Sequence, residues 1–259
     1  MDAPSILLTN DDGIDSPGIR VLAEELSTVG DVTVVAPADN KSAVGRATSS
    51  EARVQDHDLG YALEGTPVDC VVAGIEALGP APDVVVAGVN RGANLGMYVL
   101  GRSGTVSAAV EAAFFGVPAI ATSLYLPDER WKRDPRPAEY AEAARATRYL
   151  VEEGLDTDVF ETADYLNVNA PAPENGHPEM RVTSPSTVYD MTATKNGETV
   201  SLEDNIWQQM ERDSFSDREG TDRRAILDGV ISVSPLTAPH TTERHAGLDD
   251  LADGYGGNR

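Results

Sequence analysis

Cysteine occurs once, at Cys70, which excludes an internal disulfide and any thiolate metal cluster and leaves a small core residue as its expected role. Lysine is nearly as scarce, present only at Lys41, Lys132 and Lys195. With 20 basic residues against 43 acidic ones, the formal net charge is -23. Nucleic-acid backbones and anionic membranes would repel such a chain and are excluded as partners. No segment approaches the roughly 20 apolar residues that span a bilayer. The opening MDAPSILLTN has neither a basic region nor a long apolar run, so a soluble cytoplasmic protein is expected. An acidic, lysine-poor surface on an otherwise ordinary composition matches adaptation to molar salt, where the Debye length falls to about 3 Å and self-repulsion is screened. The plainer alternative is a merely acidic cytosolic protein.

What is present is an alternation of short apolar runs and helical patterns along 259 residues, enough for one large core. Ser5 to Thr9 and Val32 to Ala36 read as buried strands. The helix between them has Ser16 to cap it, Pro17 in its first turn, an inward stripe of Ile19, Leu22, Leu26 and Val29, and Gly30 as its stop. A second helix is expected at Thr66-Pro67-Val68-Asp69, with Asp69 completing a capping-box-like turn. Val84 to Ala87 reads as a strand, Val106 to Phe115 as a helix, Ala119 to Ser123 as a strand, Ala138 to Glu153 as a helix and Tyr165 to Val168 as a strand. This order predicts a Rossmann-like, doubly wound, mostly parallel sheet in an α/β fold. Residues 1–169 form the α/β core. Residues 170–259 form an extension with a β-hairpin turning at Asn196-Gly197, a returning strand at Gly229 to Leu236 and an acidic tail from Thr241, all within one integrated domain. The hairpin is either a projecting lid or oligomer contact, or an edge that extends the sheet.

A parallel sheet presents its ligand crevice at the carboxyl ends of its strands. Four segments are expected there: Asn10-Asp11-Asp12-Gly13, Asn40-Lys41-Ser42, Gly88-Val89-Asn90 and Ser103-Gly104-Thr105. The carboxylates of Asp11 and Asp12, the Ser42 hydroxyl and the Asn90 amide oxygen form a hard oxygen set suited to Mg²⁺ or Mn²⁺, not to Zn²⁺. Backbone N–H groups of Gly104 and Thr105, at a helix start, suit a phosphate. A cation beside a phosphate seat points to phosphoryl chemistry. Each piece also has an ordinary use, Asn-Asp-Asp-Gly as a turn and Ser103 as an N-cap. The four histidines carry no recognisable motif: His57 and His177 lie in loop-like surroundings, and His240 and His245 in PHTTERH read as solvent-exposed.

TNDDG with SPGI after it, APADNKSA, GTPVDC, GVNRGANLG, SGTVSAAVEA, LNVNAP and DGVISVSPL together resemble the survival protein SurE family of metal-dependent nucleotidases, in order over most of the chain. The resemblance implies one divalent ion per subunit, Mg²⁺ or Mn²⁺. It also implies hydrolysis of nucleoside monophosphates, with base preference and 5′ versus 3′ position open, and homodimers or homotetramers built partly through the extension. Carried over, the metal ligands fall on Asp11, Asp12, Ser42 and Asn90. The phosphate-binding residues fall on Ser103, Gly104 and Thr105, with Asn94 and Gly96 in the flanking loop. The chain departs from the family at Ala38-Asp39 and at Arg102, where a tyrosine is usual. Arg102 either adds charge to the phosphate site or faces solvent.

The implied reaction is phosphomonoester hydrolysis, with Asp11 and Asp12 as catalytic residues and either water or one of these carboxylates as nucleophile. A dinucleotide-dependent oxidoreductase is the rival on this fold, but Asp11 and Asp12 stand where G-x-G-x-x-G would seat a pyrophosphate. Ser103 lies in GRSGT, not in the G-x-S-x-G elbow of a serine hydrolase. A nucleotide-sensing stress-response module that binds without turnover is the non-enzymatic alternative.

Overall fold

The computed structural model describes residues 3–127, 130, 132–172, 177–212 and 214–238. The first half winds twice over a sheet: β1 (Ser5–Thr9), α1 (Pro17–Leu26), β2 (Asp31–Pro37), a hairpin of β3 (Val54–His57) and β4 (Gly60–Leu63), α2 (Pro67–Ala73) running into a π-helical turn, and β5 (Val84–Arg91). Next come α3 (Met97–Leu100), α4 (Gly104–Phe114), β6 (Ala119–Tyr125), α5 (Pro137–Gly154), α6 (Val159–Thr162) and β7 (Tyr165–Pro171). The extension supplies β8 (Met180–Val182), β9 (Met191–Asn196), β10 (Thr199–Asp204), α7 (Asn205–Glu211), α8 (Asp222–Leu227) and β11 (Ile231–Leu236).

Nine strands form one sheet in the order β3-β4-β2-β1-β5-β6-β7-β11-β8. The run from β4 to β7 is parallel, and antiparallel pairing enters only where β3 meets β4 and β11 meets β7. The period-two rule sorts β1 cleanly. Ile6 and Leu8 join the layer under α1 and α5, with Ile19, Leu22, Leu26, Val86 and Tyr140. Leu7 joins the opposite layer with Val35, Val71, Val85 and Val106, under α2 and α4. Cys70 is fully buried there, in keeping with its expected role.

The expected helices and strands are present, with informative differences at their ends. Ser16 occupies the N-cap of α1, yet its hydroxyl makes no capping bond and instead accepts from Asn10 Nδ2 at 2.8 Å. That helix stops at Leu26, four residues before Gly30, whose N–H closes the turn onto the Leu26 carbonyl. Thr66 and Asp69 do form a complete capping box on α2. His57 ends β3, half-buried between Asp15 and Asp58 at 3.3 and 2.9 Å, so it is not a loop residue. His177 sits against Glu142 at 2.9 Å. The β9–β10 hairpin forms a separate two-stranded sheet, which overturns its reading as an edge of the main one. Its Asn196 and Thr199 pair directly, so the two turn residues are Gly197 and Glu198, one place later than expected. His240, His245 and the tail from Thr241 lie outside the described residues.

The extension returns to the core at two places. β11 inserts between β7 and β8. Ile206 and Met210 of α7, with Phe215 and Ile226, cover Leu95 in a third apolar cluster. The segment Asn94 to Gly96 is thereby held between the parallel core and the C-terminal quarter of the chain.

Candidate active site

The loop after β1 owes its shape to Asn10 and Gly13. Asn10 Oδ1 accepts from the Gly13 N–H at 3.2 Å, and its Nδ2 donates to the Gly13 carbonyl at 2.8 Å, closing a tight Asx-type turn. Gly13 takes a φ of 99°, which only glycine adopts without strain, and a Cβ there would press on the backbone of Asp39. The turn leaves Asp11 and Asp12 at the carboxyl end of β1, as the sequence predicts.

Asp11 is buried and turned toward the start of α4. Thr105 Oγ1 donates to its Oδ1 at 2.6 Å, and the carboxylate lies close to the backbone of Gly104 and Thr105. The chain's own Asp11 thus lies beside the helix N-terminus at which sequence reasoning expects a phosphate. Only glycine fits at 104, because a Cβ would stand 2.8 Å from Asp11 Cβ and 2.9 Å from its Oδ2. Burial pushes the Asp11 carboxyl up despite the Thr105 bond. Asp12 Oδ2 accepts from the Arg91 N–H at 2.7 Å, and its Oδ1 lies 3.4 Å from Asn40 Nδ2. Burial, and then the Asp11 charge, push the Asp12 carboxyl up to about 7.

The remaining oxygens come from the neighbouring strand ends. The Lys41 N–H donates to the Asp11 carbonyl at 2.7 Å, which ties the loop after β2 to the first one. Ser42 follows, exposed, with its N–H on Asn40 Oδ1 at 2.8 Å. Asn90 donates through Nδ2 to the Gly92 carbonyl at 2.6 Å, which leaves its Oδ1 without a partner among the described residues. Two carboxylates that repel each other, one open amide oxygen and one hydroxyl match a hard divalent cation. No cluster of three or more His, Cys, Asp or Glu that could hold a metal occurs among the described residues, so such an ion would depend on the hydroxyl and amide oxygens.

Ser103 caps α4, its Oγ accepting from the Val106 N–H at 3.1 Å, and its hydroxyl hydrogen has no acceptor among the described residues. Asn94 and Gly96 are held from behind. Asn94 donates from its backbone to Asn169 Oδ1 at 2.8 Å and from Nδ2 to Ser123 Oγ at 2.9 Å, while its carbonyl accepts from Asn167 and Asn169. Gly96 donates its N–H to Asp222 Oδ2 at 2.7 Å. Arg102 is exposed and lies 5.2 Å over the Tyr98 ring, facing solvent.

Sequence reasoning missed the pair Asp222 and Arg223. Asp222 also accepts from the Ser186 N–H, and the fully buried Arg223 guanidinium donates to the carbonyls of Leu95 and Val188 at 3.1 and 2.9 Å. Nothing in TDRRAIL marks these two as buried. Their partners lie far off in sequence, Asp222 meeting Gly96 across 126 positions.

Paired carboxylates at the carboxyl edge of a doubly wound α/β sheet, with oxygen donors from two further strand ends, define the hydrolase-type site to which comparison adds a lineage. Residues 6–192 match the model of the survival protein SurE family, and the chain belongs to that family. It is 63% identical over 252 residues to the 5′-nucleotidase SurE of Halobacterium salinarum, covering 97% of this chain and 98% of that protein. It is 59% identical over 262 residues to the 5′-nucleotidase SurE of Haloarcula marismortui, covering 98% and 96%. The crystal structure of the SurE protein from Aquifex aeolicus superposes with a TM-score of 0.82 at 31% identity, over 96% of this chain and all of that one.

Proposed function

We propose that this chain is a divalent-cation-dependent phosphatase that hydrolyses nucleoside monophosphates to nucleoside and phosphate, a 5′-nucleotidase. The observation that carries the reading is the adjacent pair Asp11, buried, and Asp12, half-buried, at the carboxyl end of β1, with the open Oδ1 of Asn90 at the end of the neighbouring β5. Relatives that align over nearly their whole length bear the nucleotidase name. Asp11, Asp12, Ser42 and Asn90 hold the ion, Mg²⁺ or Mn²⁺. When bound, that ion offsets the repulsion between two carboxylates and a phosphate dianion and polarises the ester.

The residues themselves divide the rest of the work. Thr105 and the start of α4 lock Asp11, so this carboxylate orients and does not attack, and water is the better nucleophile. Ser103 offers its unspent hydroxyl hydrogen to a phosphate oxygen. Asn94 and Gly96, fixed by Asn169 and Asp222, hold the wall of the substrate loop.

The acidic surface and the haloarchaeal relatives support a salt-adapted protein. No helix among the described residues is long and apolar enough to cross a membrane, and cytoplasmic residence is the simplest setting for a nucleotide substrate. Val200 and Leu202, 55% and 71% exposed on an isolated two-stranded hairpin, support a homodimer or homotetramer, since such a hairpin is marginal alone. The deciding experiment is phosphate release from nucleoside monophosphates in molar salt with Mg²⁺, Mn²⁺ or EDTA, for wild type and Asp12→Asn. Release that needs the ion and collapses in the variant is expected. Stoichiometric nucleotide binding without release would replace the enzyme with a sensor.

A further inference from the structure

A cavity of about 340 Å³ opens at the end of β5, lined by Gly92, Ala93, Tyr125, Leu126, Trp207 and Glu211. It shares a wall with the cation site. Asn90 donates to the Gly92 carbonyl, and the intervening Arg91 N–H holds Asp12. From the other side, Trp207 and Glu211 project four residues apart from one face of α7. Tyr125 and Trp207 are both half-buried against the Leu95 cluster, which fixes their rings. The volume falls near the lower end of small-molecule sites, roughly 300–1,000 Å³.

Two aromatic rings offer π faces for a flat heterocycle, and the exposed Glu211 carboxylate offers only acceptors. Guanine presents N1–H and N2–H side by side to such a group. Adenine and cytosine each place a ring-nitrogen acceptor beside their amino group, and uracil sets one N–H between two carbonyls. We propose that this cavity is the nucleoside subsite, that Trp207 and Tyr125 stack the base, and that Glu211 makes guanine the preferred one. The proposal rests on the nucleotidase reading and adds to it a substrate and the residues that select it. It also makes the extension part of the active site.

The test compares kcat/KM for GMP, AMP and the base-free ester ribose 5-phosphate in wild type, Trp207→Ala and Glu211→Gln, alongside fluorescence titration of wild type and Trp207→Phe with guanosine. Trp207→Ala is expected to lower GMP turnover at least tenfold while ribose 5-phosphate stays within twofold. Glu211→Gln is expected to lower the GMP to AMP ratio about tenfold. Guanosine should quench wild-type fluorescence more than that of Trp207→Phe, a variant that keeps the aromatic packing. Equal GMP and AMP in wild type, or a ratio untouched in Glu211→Gln, overturns the proposal while cleavage of ribose 5-phosphate leaves the hydrolase intact. Should no ester be cleaved, the nucleotidase reading fails on its own. The guanosine titration then decides the subsite, and quenching equal in wild type and Trp207→Phe rejects it.

Discussion

Adding one methyl group at Gly104 should disable the site without unfolding the protein. An ideal Cβ there stands 2.8 Å from Asp11 Cβ, whereas ordinary contact begins at 3.4 Å, so the carboxylate and the helix start must part by about 0.6 Å. Asp11 cannot retreat freely, because the Thr105 hydroxyl holds it. Displacements approaching 1 Å at a reacting centre cost on the order of 100-fold, so Gly104→Ala should lower cation-dependent kcat/KM by about 10- to 100-fold. Stability should move little, since alanine in a helix gains up to about 1 kcal/mol over glycine and offsets the strain. Gly101→Ala is the control: its Cβ meets nothing within 4 Å and its φ of -76° suits alanine. Steady-state phosphate release and a thermal melt in the same molar salt read both quantities. Activity within twofold of wild type, or a loss that tracks a fall in Tm, would refute the claim that close approach of Gly104 places Asp11.

Three further outcomes are expected. Thr66→Ala removes the capping box of α2 and should cost about 1 kcal/mol, seen as a Tm drop of roughly 2–4 °C with kcat unchanged. Glu139 is held down to about 2, first by the Arg133 guanidinium that forks its two oxygens at 2.7 Å and then by the Arg136 N–H. Its contribution is full above 4.5, the ordinary glutamate value, and is lost as pH falls through 2. The stability gap between wild type and Glu139→Gln, from urea melts, should therefore narrow from pH 5 to pH 2, and a constant gap would reject the pairing. Finally, a net charge of -23 should make Tm rise as KCl goes from 0.1 M to 1 M, where the Debye length shrinks from about 10 to 3 Å. A flat salt response would reject salt adaptation.

Local rules carry far in this chain where neighbours in sequence are also neighbours in space. The apolar runs of β1 and β2, the stripe of α1 and the box at Thr66 each lie within a few residues, and each is legible. So is the placement of Asp11, Asp12 and Asn90, because a strand's carboxyl end is a local fact. The hairpin of β3 and β4 is not legible, since Val54, Gln55 and Asp56 are exposed and leave no apolar alternation to read. The antiparallel insertion of β11 is equally hidden, because pairing direction depends on the path of the chain and not on the strand's residues. Asp11 against Thr105 of α4, and Asp222 behind Gly96, are tertiary encounters over 90 or more positions. The choice between an extended edge and a separate hairpin is likewise settled by packing, with β9 and β10 pairing as strands with each other and not with the main sheet.

The late arrival of β11 sets an order of events during synthesis. Strands β1 to β7 can assemble as they leave the ribosome, for each parallel partner lies on the same side of the growing chain. β8 cannot: it bonds only to β11, about fifty residues downstream. The loop carrying Asn94 and Gly96 waits longer still, for Asp222, 126 positions away. A nascent chain therefore holds its carboxylate pair, made in the first dozen residues, beside an unfinished wall until nearly all of the polypeptide has emerged.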